Sequence, residues 1–103
     1  MFSCVYVTTK KKSEAQSIAK HLITEKLVAC ANIFKINSIY RWKGKIENTD
    51  EYAMILKTRT ENLDSVIKEI KRRHSYEVPC IISFTINKGN KEFLDWIWRS
   101  TRQ

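Results

Sequence analysis

The stretch from Ser38 to Thr58, SIYRWKGKIENTDEYAMILKT, decides the fold. Lys43-Gly44-Lys45 stands between Ile39, Tyr40 and Trp42 on one side and Tyr52-Ala53-Met54-Ile55-Leu56-Lys57-Thr58 on the other. Glycine supplies the positive φ of a tight hairpin, so the stretch reads as two antiparallel strands joined by a short turn. In the returning strand Met54 and Leu56 point to one face and Ala53 and Ile55 to the other. A strand that is apolar on both sides needs cover on both.

Upstream of the turn, Val28 to Trp42 is extended, with small Ala29, Cys30 and Ala31 followed by apolar Ile33, Ile36, Ile39, Tyr40 and Trp42. The alternation slips between Lys35 and Ser38, which predicts a bulge or bend. Ala15, Ile18, Ala19, Leu22, Ile23 and Leu27 fall at helical spacing. Ser13 and Gln16 form a capping box, so a helix is expected over Glu14–Lys26. Phe2 to Thr9 is a β-branched and aromatic run without a breaker, and it too is apolar on both faces. Downstream, Thr60 is placed to cap a second helix with the stripe Leu63, Val66, Ile67 and Ile70 and a basic last turn. Cys80 to Ile86 follows Pro79 as the fourth strand. Lys88-Gly89-Asn90 then leads into a third helix bearing Phe93, Leu94, Trp96, Ile97 and Trp98. The order β-α-β-β-α-β-α is an α+β, ferredoxin-like split βαβ sandwich with an additional C-terminal helix. Both crossover helices return over one sheet face, and the apolar residues on the other face predict self-association.

The 103 residues form a single domain, 1–103, with two Gly, one Pro and no visible repeat. No apolar run reaches the ~20 residues that span a bilayer, so no membrane role is expected. The N-terminus reads straight into a strand without a basic region, apolar stretch and cleavage site, which predicts a cytoplasmic location. Cys4, Cys30 and Cys80 fit reduced thiols better than a disulfide framework. The net charge is +8, and 13 of the 19 basic residues are Lys. Such a surface attracts phosphates and acidic partners through its long-range field without naming one. The chain lacks GxSxG, a Gly-rich phosphate loop and HExxH, so no enzymatic activity is expected. The alternative is a basic ferredoxin-like nucleic-acid-binding domain, since RNA recognition motifs share the βαββαβ order. Their aromatic signature is absent, and Ala53-Met54-Ile55-Leu56 offers no stacking rings, so no specific nucleic acid is expected.

Thr8-Thr9, EKLVACANI (Glu25 to Ile33), SIYRWKGKIE (Ser38 to Glu47), Glu51 and the ILKT run ending at Thr58 occur in that order. HSYEVP (His74 to Pro79) and Gly89…Phe93-Leu94-Asp95-Trp96-Ile97 complete the series. Together these blocks resemble the CutA divalent-cation tolerance family over nearly the whole chain. The resemblance implies a ferredoxin-like fold assembled as a homotrimer with sheets facing inward, similar in architecture to PII-type signalling trimers. It implies a link to tolerance of divalent metal, copper above all, in a signalling or homeostasis role, and no chemical reaction. It also implies copper ligation by a Cys just before the first Thr and by a tandem His pair. Val7 and Arg73 occupy two of those three positions here, and His74 remains.

His74 and Cys30 are therefore the candidate metal residues, an imidazole and a thiol of the kind that suits copper or zinc. Without CxxC or HxxxH spacing, the metal is expected to bind weakly. Each residue also has a structural reading: His74 as a helix-end cap, Cys30 as a small buried hydrophobe. By the same resemblance Tyr40, Trp42, Glu51, Lys57, Tyr76 and Glu77 match family motif positions near strand ends and loops, and together they combine aromatic, cationic and carboxylate groups. That mixture fits a small-ligand pocket and equally a subunit interface.

Overall fold

Lys43 and Gly44 both adopt positive φ, 50° and 78°, in the computed structural model, which describes residues 1–102. Two consecutive positive-φ residues make the type I′ turn whose twist matches the flanking strands. Ladder pairing runs from Trp42 opposite Lys45 to Cys30 opposite Lys57 without a slipped step. The bulge expected between Lys35 and Ser38 is therefore absent. The pattern slips there because the hairpin outgrows the helices that cover its base, leaving Ile39 and Ile46 67% and 70% exposed. The returning strand accordingly begins at Lys45, seven residues before the apolar run that announces it.

The elements are β1 (Phe2–Thr9), α1 (Lys12–Thr24), β2 (Cys30–Trp42), β3 (Lys45–Arg59), a 3₁₀ turn (Thr60–Asn62), α2 (Leu63–Arg73), β4 (Ile81–Ile86) and α3 (Lys91–Ser100). The sheet order is β2-β3-β1-β4, every neighbour antiparallel, which is the ferredoxin-like split βαβ arrangement. Val5, Val7, Met54 and Leu56 meet Ala15, Ile18, Ala19 and Leu22 of α1 and Val66 and Ile70 of α2 in one buried core.

Two helix starts differ from the sequence reading. No side-chain cap closes α1, which begins at Lys12 with extended Lys11 before it. The Thr9 hydroxyl instead donates to Lys11 O at 3.0 Å, ordering the turn without the Ser13–Gln16 box. The helix also ends two residues early, because Lys26 turns left-handed (φ 58°) and Leu27 N–H reaches back to Leu22 O at 2.9 Å. Thr60 caps nothing: its hydroxyl pairs with Ser3 Oγ at 2.8 Å, and the 3₁₀ turn separates it from Leu63.

The face away from α1 and α2 carries Phe2, Cys4 and Tyr6 of β1, whose register sets them beside Lys57 and Ile55 of β3 and Phe84 and Ile82 of β4. Among the described residues only one end of this face is covered, by α3. Arg59, 6% exposed, donates through Nη2 to Trp98 O (2.6 Å) and Thr101 O (2.9 Å), and through Nε to Thr101 Oγ1 (3.0 Å). Its guanidinium lies 3.5 Å from the Trp98 ring centroid. A cation at the carbonyl end of α3 satisfies groups that have no partner inside the helix and complements the macrodipole. Arg59→Leu keeps bulk but strands those carbonyls. It is expected to cost about 2–4 kcal/mol, read as a lower urea midpoint at fixed protein concentration. A change below about 0.5 kcal/mol would show that α3 is held by other contacts.

Candidate functional site

The site is built around the end of α2, where the chain turns extended at His74 (φ −85°, ψ 141°). The imidazole is fully buried. Its Nε2 lies 2.7 Å from Thr8 O, and its Nδ1 accepts the Tyr76 N–H at 3.1 Å. A carbonyl needs a donor and an N–H needs an acceptor, so the ring is the neutral tautomer with hydrogen on Nε2. Ser75 is pinned in turn: its N–H and hydroxyl donate to Glu14 Oε2 and Oε1 at 2.8 and 3.1 Å. Residues 74–76 are thus clamped onto the end of β1 and the first turn of α1.

What the clamp presents is Tyr76. Its ring tilts against His74 with centroids 4.9 Å apart, and its hydroxyl donates to Glu51 Oε2 at 2.7 Å. Burial, and then the hydrogen bond to the Glu51 carboxylate, push the phenol well above its ordinary range, so it stays a donor. Burial and then Glu51 also raise the Cys80 thiol.

Glu51 itself is 5% exposed and forms no ion pair among the described residues, although Lys35 pairs with its neighbour Asp50 at 3.6 Å. Above Glu51 a cavity of about 780 Å³ opens between the hairpin arm and the segment after His74. Tyr40, Trp42, Glu51 and Tyr76 all line it, as do Lys10 and Cys80. The Tyr40 hydroxyl stands 3.4 Å from Thr49 Oγ1, and Lys43 Nζ lies 5.6 Å from the Trp42 ring centroid.

The fold brings four of the six sequence candidates together and leaves two apart. Lys57 sits in mid-sheet between Cys4 and Cys30, its Nζ hydrogen-bonded to Asn32 Oδ1. Glu77 is exposed, 4.0 Å from Lys43. The two candidate metal residues do not meet. His74 binds Thr8, which pairs with Ala53, whereas Cys30 pairs with Lys57 four residues further along β3. That offset is about 13 Å. Burial first raises the Cys30 thiol, opposed by Lys57 beside it. Cys4 and Cys30 are two strands apart, about 10 Å, beyond disulfide reach. Among the described residues no group of three or more His, Cys, Asp or Glu stands close enough to hold a metal ion. Cys80 and Thr8 belong to the site and were not among its sequence candidates. Thr8 contributes through its backbone carbonyl and Cys80 through its place after Pro79, neither of which side-chain type announces.

The family model described as CutA1 divalent ion tolerance protein matches residues 3–100. The divalent-cation tolerance protein CutA of Archaeoglobus fulgidus is 50% identical over 97 residues, covering 94% of this chain and 95% of that protein. Its crystallised counterpart, the periplasmic divalent cation tolerance protein CutA, superimposes with a TM-score of 0.95 at 49% identity, covering 97% and 98% of the two chains. The divalent cation tolerance protein of Thermus thermophilus superimposes with a TM-score of 0.94 at 37% identity, covering 99% of this chain and all of that one. The periplasmic description of the Archaeoglobus protein overturns the cytoplasmic location expected from the N-terminus. No helix is long and apolar enough to cross a membrane. With a family match from strand one to the last helix and a relative half identical along its length, this chain belongs to the CutA1 divalent ion tolerance family.

Proposed function

We propose that the chain acts in divalent-cation tolerance as a homotrimeric binding protein without catalysis, its sheets facing one another across a shared axis. The observation that carries self-association is the open sheet face, where Phe34, Ile82 and Phe84 are 42%, 49% and 56% exposed on strands of one sheet. Apolar area of that extent on one face is a docking surface, and Lys57, Cys4 and Cys30 lie in the same row across it. Three copies is the number that the family resemblance implies. In this reading the cavity at Glu51 is a ligand pocket, and Lys57 belongs to the subunit interface.

Sedimentation equilibrium at micromolar concentration should give three times the 12.2 kDa chain mass. A monomer there removes the reading. Phe84→Glu should then sediment as a folded monomer, because the charge goes unpaired into a dry interface while harming nothing in the free chain. A charge at Leu56, which is fully buried against the helices, should unfold the protein instead.

Copper or zinc, in the same reading, binds at about micromolar affinity or weaker. Both nitrogens of His74 are occupied, so a metal must displace the Thr8 carbonyl or the Tyr76 N–H to reach the ring. Arg73 adds a fixed positive charge next in sequence. Isothermal titration under argon with reductant should show this weak binding in the wild type and its loss in His74→Ala. A nanomolar site untouched by His74→Ala would place the ligands elsewhere.

A further inference from the structure

Glu51 is a buried carboxylate with an incomplete set of partners. Oε2 accepts the Tyr76 hydroxyl. Oε1 has no partner among the described residues, yet no buried side-chain oxygen is sealed away unsatisfied, so Oε1 opens toward the cavity that Glu51 lines. A carboxylate withdrawn from water demands positive charge or further donors. The nearby lysines do not pair with it: Lys35 is engaged by Asp50, Lys43 reaches Glu77, and Lys10, though it lines the cavity, is exposed and forms no ion pair with Glu51 among the described residues. Tyr40, Trp42 and Tyr76 line the same cavity as the carboxylate, and aromatic faces attract cations.

We propose that this cavity binds an organic cation, an alkylammonium or alkylguanidinium group that donates to Glu51 and packs between the rings of Tyr76, Tyr40 and Trp42. The inference rests on reading the cavity as a ligand pocket and names the class of ligand. An anionic ligand is disfavoured by Glu51 and Asp50 on the lining. A divalent metal ion needs three or four protein ligands at fixed geometry, and no such cluster exists among the described residues. An organic cation needs one carboxylate and aromatic faces. The His74 clamp serves it by holding Tyr76, so that the phenol occupies Oε2 and leaves Oε1 for the ligand.

The test is a titration of the full chain with n-butylguanidinium and with its neutral isostere n-butylurea, followed at the Trp42 indole N–H by proton–nitrogen correlation and assigned with Trp42→Phe. The butylguanidinium shift should saturate, and butylurea should bind at least about tenfold more weakly. Glu51→Gln is isosteric and its amide oxygen can still accept the Tyr76 hydroxyl, so the remaining amide spectrum should hold. Its affinity for butylguanidinium should fall about ten- to a hundredfold, as expected for the loss of one charge-assisted hydrogen bond. Tyr76→Phe, which keeps the ring, should bind within about threefold of wild type, because Oε1 is untouched. An unresponsive Trp42, equal binding of butylurea, or a Glu51→Gln variant that binds as well as wild type overturns the proposal. A trimer with an unresponsive Trp42 overturns the organic-cation site and leaves the assembly reading standing. A monomer that binds butylguanidinium through Glu51 does the reverse.

Discussion

A β-strand sends successive side chains to opposite faces, and the two central strands of this sheet are apolar on both. Val5 and Val7 of β1 lie beside Leu56 and Met54 of β3 against the helices, while Tyr6 lies beside Ile55 on the other side. Two crossover helices cover one face only, since a right-handed connection brings both to the same side. Everything distinctive in the molecule answers to the uncovered face. The third helix shields one end of it, and the exposed Phe34, Ile82 and Phe84 lie on what α3 leaves bare. The hairpin arm runs beyond the helices altogether and forms one wall of the cavity.

Two buried charges near this face are treated in opposite ways. Arg59, at the end of β3, is surrounded by the acceptors its fork requires: Trp98 O, Thr101 O and Thr101 Oγ1. Its burial is offset within the chain, and α3 is fixed as a result. Glu51 lies on the same strand eight residues earlier and, among the described residues, has a single side-chain donor, the Tyr76 hydroxyl. A structural charge is expected to be satisfied by its own fold, as Arg59 is, whereas a recognition charge keeps capacity open. The contrast within one strand is what singles out Glu51 as the carboxylate of the proposed pocket.

Much of the fold was legible because helix and strand periods were clean where the core is. Phe2–Thr9 was readable to the residue, and the stripes Ala15, Ile18, Ala19, Leu22 and Val66, Ile70 are the ones that pack. The reading weakened where burial does not act. The polar start of β3, Lys45 to Glu51, has its ladder partners in β2 alone and no helix beneath it, so no apolar alternation marks it. Ser13 and Gln16 have the spacing of a capping box, but the Thr9 hydroxyl orders that turn from outside the helix. In the site, Tyr40, Trp42, Glu51 and Tyr76 were nominated by matching family motif positions and by their mixed chemistry, whereas Lys57 has the right chemistry and the wrong position along β3. Side-chain type can nominate a site residue; only the register of β2 on β3 decides which nominees meet.

His74 shows why a histidine in a metal-tolerance family need not be read as a ligand from its position alone. An imidazole offers one lone pair to a metal, and that lone pair here accepts the Tyr76 N–H while the opposite N–H donates to Thr8 O. Freeing either nitrogen breaks a buried hydrogen bond and leaves a backbone group unpaired, a cost of about 1–3 kcal/mol before any metal bond forms. The same two bonds hold the chain after α2 in the one conformation that aims the Tyr76 hydroxyl at Glu51. Metal capture at His74, were it to occur, would therefore disturb the hydrogen bonds that set Tyr76 against Glu51. A metal seated on the ring would loosen Tyr76, and a ligand seated on Glu51 would favour the arrangement in which the ring is closed to metal.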